Sequence, residues 1–199
     1  IASVRRGVPL PVEGALELQS LAEICNAAFE ENRETQKIIR HEAEHDPLTD
    51  LLNRGSFNRI FPICCQGKSP FALVLVDIDH FKSINDTCGH TAGDEAIKRI
   101  AAQLKRAFRS EDYTFRIGGD EFAVIMVDVS EAHRELLEER LRLLCDTVAG
   151  SSAGLPSISI SVGAAFSDRR NPEGTLFNDA DKALYDVKEH GKASYRIFG

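Results

Sequence analysis

Residues 113–129 read YTFRIGGDEFAVIMVDV, two strand-like runs separated by a short polar stretch. The runs at 113–117 and 122–129 are rich in aromatic and β-branched side chains, which favour strands. The intervening residues 118–121 (GGDE) are typical of a tight turn, because glycine adopts the positive φ angles that hairpin turns need. The stretch therefore predicts an antiparallel β-hairpin.

Helical and strand-like patterns alternate on both sides of this hairpin. Further strand-like runs lie at 71–77, 157–166 and 195–198, and helical periodicity is found at 49–61, 91–109, 131–148 and 176–189. Such alternation with one internal hairpin is typical of the α/β class. The sequence predicts a mixed central sheet flanked by helices, with 195–198 as an edge strand.

The N-terminal segment 16–44 contains neither proline nor glycine and predicts one long helix. Its apolar seam consists of Leu18, Leu21, Cys25, Ala28 and Ile39. Such a seam favours a coiled coil between two copies, and a single amphipathic helix packed on its own domain is the alternative. Pro47 breaks the helical pattern, so we expect a linker and helix at 1–45 and a globular domain at 46–199.

The composition is that of an ordinary folded domain with an acidic surface. The net charge of −7 disfavours nucleic acid as a partner, so a bound nucleotide would need metal ions or a few local cations. The five cysteines show no zinc-binding spacing, which favours reduced thiols in a cytoplasmic protein. Because no apolar run approaches the ~20 residues that span a bilayer, we expect this polypeptide to be soluble.

Carboxylates occur at the ends of the predicted strands. Asp77 and Asp79 lie two apart at the end of the first core strand, where alternation places both side chains on one face. Asp120 and Glu121 lie in the hairpin turn. If the hairpin pairs beside the first strand, these carboxylates converge and require divalent cations, as in two-metal phosphoryl transfer. The alternative is that they are solvated turn residues.

Six motifs follow one another between residues 46 and 185. They are DPLTDLLNR at 46–54, DIDHFKSIND at 77–86, GHTAGD at 89–94, RIGGDEF at 116–122, SVG at 161–163 and ADKALY at 180–185. Together these motifs resemble the GGDEF family of bacterial diguanylate cyclases. The resemblance implies a nucleotidyl-cyclase-like fold. It also implies that a homodimer, with one GTP in each domain, condenses two GTP molecules into cyclic di-GMP and two pyrophosphates.

The resemblance implies roles for individual residues. The ligands of Mg²⁺ or Mn²⁺ would be Asp77, the carbonyl of Ile78, Asp120 and Glu121. Asp120 would also take the proton of the attacking 3′-hydroxyl, and Glu121 and Lys82 would complete the catalytic group. The substrate-binding positions would be Phe81, Asn85, Asp94, Gly118, Gly119, Lys188 and Lys192.

Individual positions match the family pattern or depart from it in ways that affect the expected chemistry. Asn85 and Asp94 match the residues that read the guanine edge, where a carboxylate suits the N1–H and 2-amino donors of the base. Lys192 stands where the family usually has arginine, so bidentate phosphate binding is lost there while the charge is kept. Cys88 stands where an aromatic residue is common. Arg109 and Asp112 match the R-x-x-D pattern of a product-binding inhibitory site, so cyclic di-GMP is expected to be an inhibitor as well as the product.

Residues 17–26 (ELQSLAEICN) resemble the start of the second helix of a HAMP signalling module. HAMP modules usually follow a membrane span, which implies a full-length protein in the inner membrane with its catalytic domain in the cytoplasm. Two other functions stay open at this point. One is a catalytically silent GGDEF domain that senses nucleotide, and the other is a signalling module that only dimerises.

Overall fold

The computed structural model describes residues 16–150 and 158–199, with the side chains of the first helix described from residue 20 onwards. The linker at 1–15, the side chain of Leu18 and the predicted strand start at 157 lie outside the described residues. The chain divides into two compact units, Ile1–Glu44 and His45–Gly199.

The described residues contain the helices and strands that the sequence patterns predicted, and one helix more. The helices are α1 (Leu16–Glu44), α2 (Arg54–Gln66), α3 (Phe81–Cys88), α4 (His90–Ala107), α5 (Arg134–Ala149) and α6 (Leu176–Glu189), with a 3-10 turn at Glu131–His133. The strands are β1 (Phe71–Ile78), β2 (Tyr113–Arg116), β3 (Glu121–Val127), β4 (Ile160–Phe166) and β5 (Tyr195–Ile197).

Strand β1 is the centre of a five-stranded sheet with the order β2-β3-β1-β4-β5. It pairs antiparallel with β3 and β4, whereas β5 pairs parallel with β4 at the edge. Strands β2 and β3 form the predicted antiparallel hairpin. The α/β class, the mixed sheet and the C-terminal edge strand are thereby confirmed.

Both faces of the sheet are covered by helices, which explains the unbroken apolar run in β1. Val74 and Val76 pack in the core layer that contains residues of α4 and α5. Leu73 and Leu75 pack in the opposite layer with residues of α2 and α6. Because β1 is held by two strands and two helical layers, Asp77 near its end has a well-defined position.

Two elements differ from the sequence prediction. Helix α2 begins at Arg54 rather than at residue 49. The intervening segment is a turn in which Asp46 Oδ1 accepts hydrogen bonds from the backbone and the hydroxyl of Thr49 at 3.0 and 2.7 Å. Asn53 then caps α2 by accepting from the Ser56 backbone N–H. Helix α3 was not predicted, because its residues are mostly polar and Ile84 alone among them is buried.

The long helix α1 confirms the predicted N-terminal helix, and several of its large apolar side chains are exposed. Leu21 is 56% exposed and Ile39 is 60% exposed, and Ile24 and Ile38 are similarly accessible. Cys25, also in the predicted seam, is half-buried. Over residues 16–150 and 158–199, no helix has the combination of length and hydrophobicity that a membrane crossing requires.

Candidate active site

The end of β1 and the GGDEF turn lie side by side. Asp77 is the Cα partner of Glu121 in the antiparallel register of β1 and β3. The Ile78 N–H donates to the carbonyl oxygen of Asp120 at 3.2 Å, which extends the pairing into the turn. The geometry thus brings together the strand end and the turn on which the four predicted metal-binding positions lie.

Asp77 is half-buried and has one close cationic partner. Its Oδ2 lies 2.8 Å from the Nζ atom of Lys188 on α6. Burial raises the pKa of Asp77, and the neighbouring charges of Asp120 and Glu121 raise it further, while Lys188 opposes both effects. The strand end therefore carries an excess of negative charge that Lys188 only partly neutralises.

This donor set fits a hard divalent cation such as Mg²⁺ or Mn²⁺. Carboxylate and carbonyl oxygens are the ligands that such ions prefer, and mutual repulsion among carboxylates is relieved when a cation binds. In the parts of the chain that the structure describes, no three His, Cys, Asp or Glu side chains are already grouped tightly enough to hold a metal. The carboxylates of Asp77, Asp120 and Glu121 are near one another rather than gathered around one point.

Asp79 does not belong with these carboxylates, contrary to the sequence prediction. It follows the end of β1 and is only 4% exposed. Its Oδ1 accepts from the Ser161 hydroxyl at 2.6 Å. Its Oδ2 accepts from the Ser159 hydroxyl at 2.7 Å and from the Ala193 backbone N–H at 3.0 Å. Both oxygens are thus engaged by the protein itself.

The predicted guanine-reading residues lie on the adjacent helices α3 and α4. Asn85 is half-buried on α3 and Asp94 is exposed on α4. Gly93 was missed by sequence reasoning, although it allows these two helices to approach. A Cβ atom at Gly93 would come within 3.0 Å of Asn85 Cγ and 3.2 Å of Phe81 Cζ. A side chain at 93 would therefore displace Asn85 and Phe81.

The three predicted phosphate-binding lysines differ in burial, and Lys188 contacts the strand end through Asp77. Lys82 is exposed in the first turn of α3, while Lys188 is half-buried against Asp77. Lys192 lies in the loop between α6 and β5 with a left-handed φ of 63°. Its backbone N–H donates to the carbonyl of Val187 at 3.0 Å.

The two glycines of the signature turn do not have the backbone conformation that the sequence predicted. Neither Gly118 nor Gly119 has a left-handed φ, so the prediction that they supply positive φ angles is wrong. Gly118 is needed because the Glu121 side chain folds against it, and a Cβ atom there would lie 3.1 Å from Glu121 Cβ and would collide with the carboxylate. Gly119 faces open space, which leaves its backbone accessible.

Arg116 stabilises the signature turn through hydrogen bonds, a role that sequence reasoning also missed. Its Nη2 atom donates to the carbonyl of Gly119 at 2.8 Å. Its Nη1 atom donates to both carboxylate oxygens of Asp46 at 3.0 and 3.2 Å. Although burial of Asp46 opposes the effect, hydrogen bonds from Thr49 and Arg116 hold the pKa of Asp46 below its usual value.

The predicted inhibitory pair lies where α4 leads into β2. Asp112 Oδ2 accepts from the Arg109 backbone N–H at 2.9 Å, and Asp112 Oδ1 accepts from the Val127 N–H at 3.2 Å. Arg140 of α5 approaches the same carboxylate at 3.7 Å, and its Nη1 atom is buried without a hydrogen-bond partner. Arg140 therefore faces the buried Asp112 carboxylate, and its distance along the chain hid this contact from sequence reasoning.

The chain is similar to known proteins across this whole region. Residues 43–194 match the family described as diguanylate cyclase, GGDEF domain. The chain is 33% identical over 163 residues to the probable diguanylate cyclase DgcT of Escherichia coli strain K12, which covers 78% of this chain and 36% of that protein. It is 30% identical over 207 residues to the diguanylate cyclase TpbB of Pseudomonas aeruginosa strain UCBPP-PA14, which covers 94% of this chain and 46% of that protein. The chain thus spans less than half the length of these curated relatives.

A solved structure is also similar. It contains the coiled coil and GGDEF domain of DgcB from Caulobacter crescentus in complex with c-di-GMP. The TM-score is 0.77 at 29% identity, and the match covers 91% of this chain and 98% of that chain. With six ordered motifs, a signature turn beside Asp77 and a family match over most of its length, the chain belongs to the GGDEF family of diguanylate cyclases.

Proposed function

We propose that this chain condenses two GTP molecules into cyclic di-GMP and two pyrophosphates in a metal-dependent reaction. The observation that carries the proposal is the pairing of Asp77 with Glu121 at the end of the most enclosed strand, beside the GGDEF turn. The similarity to curated diguanylate cyclases supports the same reaction.

The residues at the end of β1 and in the GGDEF turn are suited to positioning and proton transfer rather than to covalent catalysis. Asp120 lies in the turn, where its carboxylate takes the proton of the attacking 3′-hydroxyl. Lys82, Lys188 and Lys192 bind the triphosphate and neutralise its charge. A divalent metal, when bound at Asp77, the Ile78 carbonyl, Asp120 and Glu121, supplies further positive charge to the reacting phosphate.

The primary test of the proposal is analysis of the nucleotide products. The purified chain is incubated with GTP and either MgCl₂ or MnCl₂, and the nucleotides are separated by chromatography. We expect cyclic di-GMP and pyrophosphate, and no product after addition of a chelator. Unchanged GTP under all conditions, with a folded protein, would instead favour a catalytically silent domain, either a nucleotide sensor or a module that only dimerises.

Selection of guanine is the first prediction from the site. Because Asn85 and Asp94 pair with the guanine edge, ATP leaves their polar groups unsatisfied, and GTP should be preferred by at least about a hundredfold in kcat/KM. Asp94→Ser should reduce this preference. Glu95→Ser, which removes the next carboxylate on α4, is the matched control and should leave the preference unchanged. Comparable rates with ATP and GTP in the parent protein would contradict the assignment.

Inhibition by the product is the second prediction. Arg109 is proposed to bind cyclic di-GMP at a site separate from the catalytic one, with its guanidinium gripping phosphate or stacking on guanine. The buried Asp112 carboxylate would hold the Arg109 backbone in place. Arg109→Ala should weaken cyclic di-GMP binding about tenfold or more and relieve inhibition, since charge-assisted hydrogen bonds are lost. Titration calorimetry on nucleotide-free protein measures the binding. Arg170→Ala removes an exposed arginine elsewhere, and an equal loss in that control would show that only general charge matters.

Pairing through α1 is the third prediction. Each domain is proposed to hold one GTP, so two copies must meet, and the exposed seam of α1 is suited to bring them together. The solved coiled coil and GGDEF domain of DgcB supports this role. We further propose, from the HAMP-like segment 17–26, that the helix connects a membrane-anchored full-length protein to a cytoplasmic catalytic domain.

The isolated chain should therefore exchange between monomer and dimer. Specific activity should rise with protein concentration, because the seam is narrow and pairing is weak. Leu21→Asp should lower activity most at low concentration, since it places a charge in the seam. Ala27→Asp adds the same charge at an exposed position of α1 outside the seam and serves as the control. Flat specific activity over a hundredfold dilution, with only monomer in sedimentation, is the result that contradicts pairing.

A further inference from the structure

Asp79 links three parts of the chain at the catalytic edge. Besides its carboxylate contacts, its backbone N–H donates to the Ser159 carbonyl at 2.9 Å. The Ser161 hydroxyl, in β4, donates to Oδ1, and the Ser159 hydroxyl, just before β4, donates to Oδ2. The Ala193 N–H, from the loop between α6 and β5, also donates to Oδ2. The carboxylate is thus the common acceptor for β4 and for that loop.

The loop that Asp79 holds has an unusual backbone. Gly191, Lys192 and Ala193 all have positive φ angles, of 116°, 63° and 49°. Glycine adopts such angles freely, whereas Lys192 and Ala193 do so only when the surrounding structure imposes the conformation. Hydrogen bonds impose it on both sides, because Lys192 N–H is held by the Val187 carbonyl and Ser194 O accepts from Val162 N–H. The hydrogen bond from Ala193 to Asp79 lies between these two.

The two aspartates of the D-x-D motif, Asp77 and Asp79, contact different parts of the chain near the C-terminal end of α6. Asp77 pairs with the Lys188 side chain at 2.8 Å, while Asp79 holds the backbone next to Lys192. Lys188 and Lys192 are the cations that the proposed function assigns to the triphosphate. A shift of the loop would therefore move Lys192 and leave the Asp77–Lys188 pair in place.

We propose that Asp79 is a positioning residue that acts through Lys192: its carboxylate fixes the left-handed loop so that the Lys192 ammonium meets the triphosphate. This inference rests on the proposed function and deepens it. Asp79 contacts neither the substrate nor a metal in this role, because both of its oxygens are already occupied by Ser159, Ser161 and Ala193.

A double-mutant cycle on Asp79→Ala and Lys192→Ala tests the proposal. Each single variant should raise the KM for GTP about tenfold and change kcat less, because a charge-assisted phosphate contact is weakened. The double variant should be no worse than Lys192→Ala alone, because residues that act through one contact are not additive. Asp79→Asn should stay within about threefold of the parent, since an amide still accepts from Ala193 and can donate to a serine hydroxyl.

A buried carboxylate at the far end of the sheet supplies the control. Asp179 is 2% exposed and pairs with Arg169, whose Nη1 atom donates to the carbonyl of Phe166. Asp179→Ala should destabilise the fold, lower the active fraction and leave the KM for GTP unchanged. When it is combined with Lys192→Ala, the two losses in kcat/KM should multiply. If Asp79→Ala does not fold, Ser159→Ala can replace it, because it removes one of the two donors to Asp79 Oδ2. This variant should give a smaller rise in the KM for GTP, and that rise should disappear in the Lys192→Ala background.

Three results would overturn the proposal. Effects of Asp79→Ala and Lys192→Ala that multiply would show that Asp79 does not act through Lys192. A raised metal requirement in Asp79→Asn would identify Asp79 as a metal ligand instead. The third result comes from the same cycle measured with the Kd of a non-hydrolysable GTP analogue. If the two changes in binding free energy add, the proposal is also overturned. A parent chain that makes no cyclic di-GMP would reject the proposed function, while the binding cycle would still decide the role of Asp79.

Discussion

Replacing Asp77 or Asp120 with alanine should reduce cyclic di-GMP formation at least about a hundredfold, because each variant removes an oxygen donor from the proposed metal site, where neutralisation of charge contributes about 3 kcal/mol or more to the barrier. Loss of Asp77 also releases Lys188 from its ion pair at 2.8 Å. Asp77 is half-buried at a strand end and Asp120 lies in a turn, so neither contributes much to the core. The fold should therefore persist.

Circular dichroism and thermal unfolding check the fold, and initial rates over a series of MgCl₂ concentrations check the activity. Glu135→Ala, which removes an exposed carboxylate from α5, is the control for loss of negative charge and should retain the parent rate. If Asp120→Ala turns over faster than about a tenth of the parent rate, the assignment of this carboxylate to the reaction is wrong.

Replacing Gly163 with alanine should destabilise the domain by about 3 kcal/mol, the upper range for forcing a methyl group into a close-packed interior. Gly163 lies in β4, where it pairs with Leu75 of β1 and Arg196 of β5. Helix α6 crosses it so closely that a Cβ atom would lie 2.6 Å from Leu184 Cα. The obstacle is backbone, which cannot move aside as the tip of a side chain can.

Denaturant unfolding followed by circular dichroism measures this loss. Gly119→Ala is the matched control, because a Cβ atom there meets nothing within 4 Å. Its free energy of unfolding should change by less than about 0.5 kcal/mol, as is usual for a surface substitution. Equal stability of Gly163→Ala and Gly119→Ala would show that α6 can move away from β4 at little cost.

The elements that could be predicted from the sequence are those with strong local patterns. Strand β1 is a continuous apolar run, and α6 has both the periodicity and an N-cap at Thr175, so its observed bounds agree with the prediction. The start of α2 was misplaced, because Asp46 and Asn53 form a turn and a cap whose side-chain hydrogen bonds compete with helix. The spacing of apolar residues carries no information about that competition.

The candidate site was predictable where motif residues carry it, and less so where distant residues meet. The contact of Asp79 with Ala193 joins positions 114 residues apart, and that of Arg116 with Asp46 joins positions 70 apart. No spacing rule connects such pairs, which depend on the register of β1 with β4 and of β2 with the segment before α2. Sequence reasoning therefore grouped Asp79 with Asp77, whereas the structure separates a carboxylate at the site from one that holds a loop.

The hydrogen bonds of Arg116 connect two segments that are far apart in the sequence. Its guanidinium holds the Gly119 carbonyl and the Asp46 carboxylate together, and Asp46 follows the end of α1 by two residues. A ligand that displaced the turn would disturb the arginine that also holds Asp46, and would therefore act on the segment before α2. Linkage is reciprocal, so a ligand that moved the turn and a change that moved the Asp46 segment would draw on the same coupling free energy.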